Sequence, residues 1–214
     1  MRIGVDALHM LKKKGKEMKL KTGLILIVTG VLFFMGGCGK PTYRGKVDKT
    51  PYDIKACLKE LSTGAEIRQD QIIDRLVAYK SKRKIEGYRN GKKVFESRMS
   101  LGKNGDKGNK IRAGDYRTPE GNYKIVRKKC DPRLYRSLMI SYPNAADIAR
   151  AKAKGYKPGG YITIHGQPKW NADGRGDAYT LAHDWTEGCM AVPNKKMAQL
   201  WAGVKNGVPI TIRP

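Results

Sequence analysis

The chain has 214 residues, enough for one ordinary domain with additions and a real hydrophobic core. Its 44 Lys and Arg against 19 Asp and Glu give a formal charge of +25, which excludes a cationic partner and points to an anionic one: nucleic acid, an acidic membrane face or an anionic wall polymer. A solvated basic surface satisfies the same charge, so composition alone does not choose.

The N-terminal part predicts where the protein goes. From Met18 it reads "MKLKTGLILIVTGVLFFMGGCGK", with Lys19 and Lys21 as a basic start, Thr22 to Met35 as an apolar run and Gly36-Gly37-Cys38 as a small-residue ending. The run is shorter than the ~20 residues a membrane-spanning helix needs. Its layout is that of an export signal. It is similar to a bacterial lipoprotein signal, in which cleavage leaves the cysteine, here Cys38, as the lipidated first residue. Met35 stands where such signals usually carry Leu, and an uncleaved N-terminal anchor is the alternative. The preceding "MRIGVDALHMLKKKGKE" fits no signal, so Met18 is the expected true start. Residues 1–37 are thus expected to be a signal peptide, and the rest an exported, membrane-anchored lipoprotein facing the periplasm or cell wall. Their loss removes seven Lys/Arg and two acids and leaves a charge of +20. Outside the cytoplasm, anionic wall or lipid is the expected partner and nucleic acid is not.

Residues 38–73 are expected to hold the lipidated cysteine, a tether rich in Gly, Lys, Pro and Thr, and one or two short helices whose apolar face is Ile54, Leu58 and Leu61. From residue 74 to 214 the pattern becomes that of a mainly β, α+β domain. "DRLVAYK", "RKIEGYRNGKKVFESRMS" and "GNYKIVRK" are short runs rich in Val, Ile, Tyr and Phe. Asn90-Gly91 between two of them predicts a hairpin whose turn residues both take φ > 0. "SLMIS" and "YITIHG" are further strands, Asn144–Lys154 and Asn194–Val204 are amphipathic helices, and "VPITIRP" is a closing strand. Trp170 and Trp201 read as packing residues.

Three cysteines remain after Cys38: Cys57, Cys130 and Cys189. An odd number in a disulfide-permissive compartment leaves one thiol over. A Cys57–Cys130 bridge would leave Cys189 free, but sequence does not show whether the geometry permits it. Two histidines, His165 and His183, and one cysteine make a conceivable three-ligand zinc site, yet no C-x-x-C pattern is present; neither metal nor cofactor is expected.

Cys189 lies in "HDWTEGCMAVPN". A nucleophilic cysteine needs a base or cation to raise its thiolate fraction, and N–H donors for the oxyanion that develops on the attacked carbonyl. Gly188 permits close backbone approach, so the N–H groups of Gly188 and Cys189 are candidates for that hole. His165, at the end of "YITIHG", is the strand-positioned base. His183, nearer in sequence, is divided between auxiliary base and structural loop residue. Asp184 and Thr186 tighten the turn, and Trp185 packs against it or touches substrate.

"YITIHG" followed by "HDWTEGCMAVPN" resembles the L,D-transpeptidase catalytic domain (YkuD-type) family. "GDYRTPEG", Gly114–Gly121, is similar to that family's Gly-Asp-x-x-Thr-Pro-x-Gly stretch, and "WAGVKNGVPITIRP" fits its end. The resemblance spans about residues 74–214 and implies a β-sandwich-like catalytic fold with a few short helices. It implies a cysteine acyl transferase: Cys189 attacks a peptidoglycan stem peptide, D-alanine leaves, and a thioester passes the acyl group to an amine. It makes His165 the base, gives Gly166 a carbonyl that orients the imidazole, and leaves Tyr116 and Arg117 as substrate-wall candidates.

Two departures stand out. The commonest family motif, Ser/Thr-His-Gly-Cys followed by an apolar residue and Arg, is replaced by Thr186-Glu187-Gly188-Cys189 with Met190 and Ala191. Asp184-Trp185-Thr186 matches an Asp-Trp-Thr-x-Gly-Cys branch instead, and the missing arginine requires another cation, Arg175 or Arg133. That branch also resembles enzymes that cut a wall-bound lipoprotein from its stem, so water is an alternative acceptor and an L,D-carboxypeptidase or amidase an alternative reaction. A non-catalytic peptidoglycan-binding module and a salt-sensitive polyanion binder are the readings outside this chemistry. Oligomeric state is not legible.

Overall fold

The computed structural model describes residues 53–64, 67–168 and 176–214. The proposed signal, Cys38, the tether, Trp170 and Arg175 lie outside them.

Strand β1 (Arg75–Tyr79) buries Leu76, Val77 and Ala78 in succession, the mark of a strand covered on both faces. It pairs antiparallel with β2 (Lys84–Arg89), which turns through Asn90 (φ +49°) and Gly91 (φ +77°) into β3 (Lys92–Arg98). Both turn residues are left-handed, as the Asn-Gly step requires. After the long 99–120 connection, β4 (Gly121–Asp131) does two jobs. Its first residues pair with the C-terminal strand β8 (Pro209–Arg213), and from Ile125 onward it pairs with β5 (Tyr135–Ile140). Helix α2 (Ala145–Lys152) follows, opened by a capping box between Asn144 and Asp147. Then come β6 (Thr163–His165), α3 (Gly176–Thr180), β7 (Met190–Ala191) and α4 (Asn194–Gly203).

The strand order is β3-β2-β1-β8-β4-β5-β6-β7. Its two ends meet: Ser100, just past β3, donates to the Ala191 carbonyl at 2.8 Å and accepts from the Ala191 N–H at 2.9 Å. The sheet is therefore rolled on itself, a mainly β architecture with short helices, as the sequence predicts. Leu76, Ile85, Ile125, Leu138, Ile164 and Ile210 fill the inside, and α4 contributes Met197, Leu200 and Trp201, all fully buried.

One predicted face is corrected. In α1 (Ile54–Ser62), Ile54 and Leu61 pack on the core, but Cys57 is the buried residue between them and Leu58 is 54% exposed. Cys57 is disulfide-bonded to Cys130 of β4, which selects the 54/57/61 stripe and turns Leu58 outward. Glu60 docks the same helix, accepting from the Trp201 indole N–H at 2.8 Å and pairing with Arg136 at 2.7 Å. The helix expected beside the tether is thus part of the β domain's packing.

The bridge joins residues 73 apart, so it removes substantial chain freedom from the unfolded state. A Cys57→Ser/Cys130→Ser variant is expected to lose about 2–4 kcal/mol in urea unfolding. An unchanged urea midpoint would show that the staple contributes nothing.

Candidate active site

His165 and Cys189, 24 residues apart in sequence, become neighbours because β6 runs parallel to β7, with Ile164 opposite Met190 and His165 opposite Ala191. The first strand ends on the histidine and the second begins just after the cysteine. The His165 side chain is 2% exposed, and its Nδ1 lies 2.7 Å from the carbonyl oxygen of Gly166. A carbonyl can only accept, so Nδ1 carries the proton and Nε2 is left to face the thiol. Gly166 has no room for a side chain: a Cβ there would lie 2.4 Å from Asn194 Oδ1 and 3.1 Å from the Leu134 carbonyl. Asn194 Oδ1 is itself held by the Gln167 N–H at 2.7 Å. The Trp185 ring stands edge-on to the imidazole, centroids 5.6 Å apart.

Cys189 is the free cysteine among the described residues and is partly exposed. Thr163 Oγ1 donates to its sulfur at 3.5 Å, and the sulfur lies 3.6 Å from the Tyr161 carbonyl. Burial pushes the thiol pKa up and is the largest single influence. Hydrogen bonding to His165, the charge of that imidazole and the contacts of Thr163 together outweigh it, and the net direction is down.

The loop that carries Cys189 is fastened at several points. Asp184 pairs with Arg83 at 2.7 Å and accepts from the Leu101 N–H at 2.9 Å. Thr186 and Lys103 continue that seam through Thr186 N–H to the Leu101 carbonyl (3.1 Å) and Lys103 N–H to the Thr186 carbonyl (2.9 Å). The Thr186 hydroxyl donates to the Cys189 carbonyl at 2.7 Å and accepts from the Gly188 N–H at 3.2 Å. This corrects the predicted oxyanion hole, because the Gly188 N–H is already engaged. Among the described residues, the Cys189 N–H meets no acceptor and is the available donor. Gly188 sits at φ +129°, where a Cβ would lie 2.8 Å from the Arg117 carbonyl, so glycine is required on both counts.

Cys189 and His165 open on a cleft of about 980 Å³. Tyr116, Trp185, Thr186 and Glu187 are in its wall, and so is Arg133. Lys103 adds positive charge, while Lys129 pairs with Asp131 at 3.6 Å and Asp131 also accepts from the N–H groups of Arg133 and Leu134. The balance favours an anionic ligand. Two predicted residues stand elsewhere. His183 is exposed, its Nδ1 3.3 Å from the Tyr179 carbonyl, and is absent from the described cleft wall. Arg117 lines a neighbouring cleft, its guanidinium donating to the Asn109 carbonyl at 3.3 Å. Sequence reading missed Thr163 and Tyr161. Thr163 was findable, since positions two apart on a strand share a face and 163 precedes 165 by two. The approach of the Tyr161 carbonyl to the sulfur has no sequence signal.

At neutral pH, labelling of Cys189 by iodoacetamide tracks its thiolate fraction. His165→Ala is expected to move the labelling midpoint to higher pH and slow the rate at pH 7, by about tenfold for each unit of upward pKa shift. Gly166→Ala should do the same to a smaller extent. Labelling of His165→Ala at the wild-type rate would remove His165 as the thiol's partner.

A sequence profile of the YkuD family, the L,D-transpeptidase catalytic domain, matches residues 73–212. Among curated proteins the chain is 44% identical over 64 residues to "Putative L,D-transpeptidase YafK" of Escherichia coli (strain K12), a match covering 29% of this chain and 24% of that protein. Among solved structures it is similar to the helical cell shape determining protein Pgp2 of Campylobacter jejuni (24% identity, 75% of this chain, 55% of that one, TM-score 0.47). It is also similar to an L,D-transpeptidase from Mycobacterium smegmatis (14% identity, 65% of this chain, 58% of that one, TM-score 0.42). The chain thus spans about a quarter of the length of the curated relative and little more than half of these structures.

Proposed function

Because the chain belongs to the YkuD family of L,D-transpeptidase catalytic domains, we propose that it is a cysteine acyl transferase acting on peptidoglycan stem peptides. The observation that carries this reading is the His165–Cys189 couple, with the imidazole tautomer fixed by the Gly166 carbonyl and the thiol pKa lowered. In the proposed reaction the Cys189 proton passes to His165 Nε2, and the thiolate attacks the carbonyl carbon of the stem's L-centre where it joins D-alanine. The oxygen gains the negative charge and meets the Cys189 N–H. As the C–N bond breaks, the imidazolium returns its proton to the departing D-alanine amine and a thioester remains on sulfur. An incoming amine then bonds to the thioester carbon and gives its proton to His165, the C–S bond breaks, and the imidazolium returns that proton to sulfur, closing the cycle.

The basic cleft supports a carboxylate-bearing substrate, with Arg133 as the described cation that replaces the arginine missing after Cys189. The signal-like stretch before Cys38 supports export and a lipid anchor. A disulfide between Cys57 and Cys130 agrees with an oxidising compartment. With water as acceptor, the same thioester would make the protein a hydrolase.

The test is to incubate the purified protein with tetrapeptide-stem muropeptides and follow products by mass. Crosslinked dimers are expected, with a thioester adduct on Cys189. Cys189→Ala should lower turnover by at least about a thousandfold. Shortened tripeptides without dimers would establish hydrolysis, and no adduct with any stem, free or protein-linked, would sink the enzymatic reading.

A further inference from the structure

The rolled sheet has two outer surfaces, and the cleft occupies one of them. Between them, Leu76, Ala78, Ile85 and Ile210 meet Leu138 and Ile164 in one core cluster. Side chains alternate along a strand, so the neighbours of these residues face outward. On β5 and β6 the outward residues are Ser137, Met139, Thr163 and His165, which line the Cys189 cleft. On β1, β2 and β8 the outward residues lie on the opposite surface.

The pairing register gathers charge on that second surface. Arg75 stands opposite Tyr88, Tyr79 opposite both Lys84 and Arg213, Lys84 opposite Arg98, and Lys124 opposite Pro209. Tyr79 is thereby ringed by cations: Lys82, Lys84 and Arg213 lie 5.4, 5.8 and 5.9 Å from its ring centre. The Arg75 guanidinium lies 4.1 Å from the centre of the Tyr88 ring. The carboxylates of this face, Glu86 and Glu96, are both taken by Lys84 and Lys93. Arg75, Lys82, Arg98, Lys124 and Arg213 are exposed, and among the described residues none of them has a carboxylate within ion-pair distance. Like charges gathered without counter-ions repel one another, and an external anion relieves that cost.

The form of that anion follows from the shape of the surface. None of these residues lines the Cys189 cleft or its neighbour. They spread over the five strands from β3 to β4, about 20 Å across at the spacing of paired strands. A broad sheet surface fits a planar array of charges, whereas a single polymer strand fits a groove. Tyrosine, with an apolar ring and a polar tip, suits the headgroup region of a bilayer, as do long cationic side chains.

We propose that this face lies against an anionic lipid bilayer, held by the phosphates of its headgroups, with the Cys189 cleft turned away from the membrane. The export-signal reading of residues 18–38 puts the chain beside a membrane, and the basic face sets which way round it rests. The proposal adds an orientation to the acyl-transfer reading, since it presents the cleft to the wall polymer. The contact itself needs no thioester chemistry.

The test is lysine footprinting of the full chain, by amine acetylation and mass spectrometry, with vesicles of mixed phosphatidylglycerol and phosphatidylcholine or of phosphatidylcholine alone. On the anionic vesicles, labelling of Lys82, Lys93 and Lys124 is expected to slow on the order of tenfold, and high salt should restore it. Lys55, Lys59 and Lys195, exposed on α1 and α4, should label at the same rate with either vesicle. In Arg75→Ala/Arg98→Ala/Arg213→Ala the slowing should disappear, and in Arg75→Lys/Arg98→Lys/Arg213→Lys it should remain. Equal labelling on both vesicles overturns the proposal, as does slowing at Lys55, Lys59 and Lys195 to the same extent as on the basic face. Protection of the face by isolated cell wall, with none by phosphatidylglycerol, also overturns it. Muropeptide turnover is a separate readout, so failure of the acyl-transfer reading would leave these labelling rates as they are.

Discussion

Two residue pairs, Ile164 with Met190 and His165 with Ala191, hold β6 parallel to β7, and the approach of His165 to Cys189 depends on that short ladder. It alone sets the imidazole beside the sulfur. Everything packed around it limits how far either strand can move. The core side chains Ile164 and Met190 are fully buried, the Val192 N–H donates to the His165 carbonyl, and the Gly166 N–H donates to that of Arg136. A nucleophile on a loop is set by the strand it enters, and a base on a strand end by the strand it leaves. The site is therefore more rigid than its loop setting suggests.

The long 99–120 connection is held by buried charge rather than by strands. Lys80, 3% exposed, reaches the carbonyls of Gly108 and Thr118 and the Glu120 carboxylate, and Lys110 grips Asp115 and the Arg112 carbonyl. Burying such ions costs solvation that their pairing only partly offsets, so their benefit is geometric. Lys80 gathers distant parts of the connection to one nitrogen, and Lys110 ties its own turn together. The Gly-Asp-x-x-Thr-Pro-x-Gly stretch is thereby a turn built around the Asp115 carboxylate, with Thr118 holding the Gly102 N–H at 3.0 Å.

Much of this was legible in the residues. The Asn90-Gly91 hairpin follows from turn chemistry, and the place of His165 beside Cys189 fits a histidine ending an apolar strand. What sequence missed has two causes, tertiary choice among locally equivalent options and local hydrogen bonds that were not anticipated. Leu58 and Cys57 are both able to face inward from α1, and a disulfide partner 73 residues away decided between them. The Gly188 N–H is engaged locally, by the Thr186 hydroxyl two residues back, a Thr turn that the sequence could have signalled. His183 has the better sequence position beside Cys189, but α3 and the turn after it direct its ring to Tyr179. Local pattern names the residue types that can act; only the fold says which are pointed at the work.

The seam between Ser100 and Ala191 has a consequence for the order in which this molecule is built. Hairpins such as β2–β3 close over a two-residue turn, whereas the seam joins residues 91 apart and is available only after the intervening strands have been laid down. Cys189 lies on that seam, two residues before Ala191. The loop from Asp184 to Cys189 is fastened to the 100–103 segment on the other side, so its surroundings are complete only once that seam is closed. The placing of the Cys189 loop thus depends on a long-range contact rather than on its own sequence neighbours.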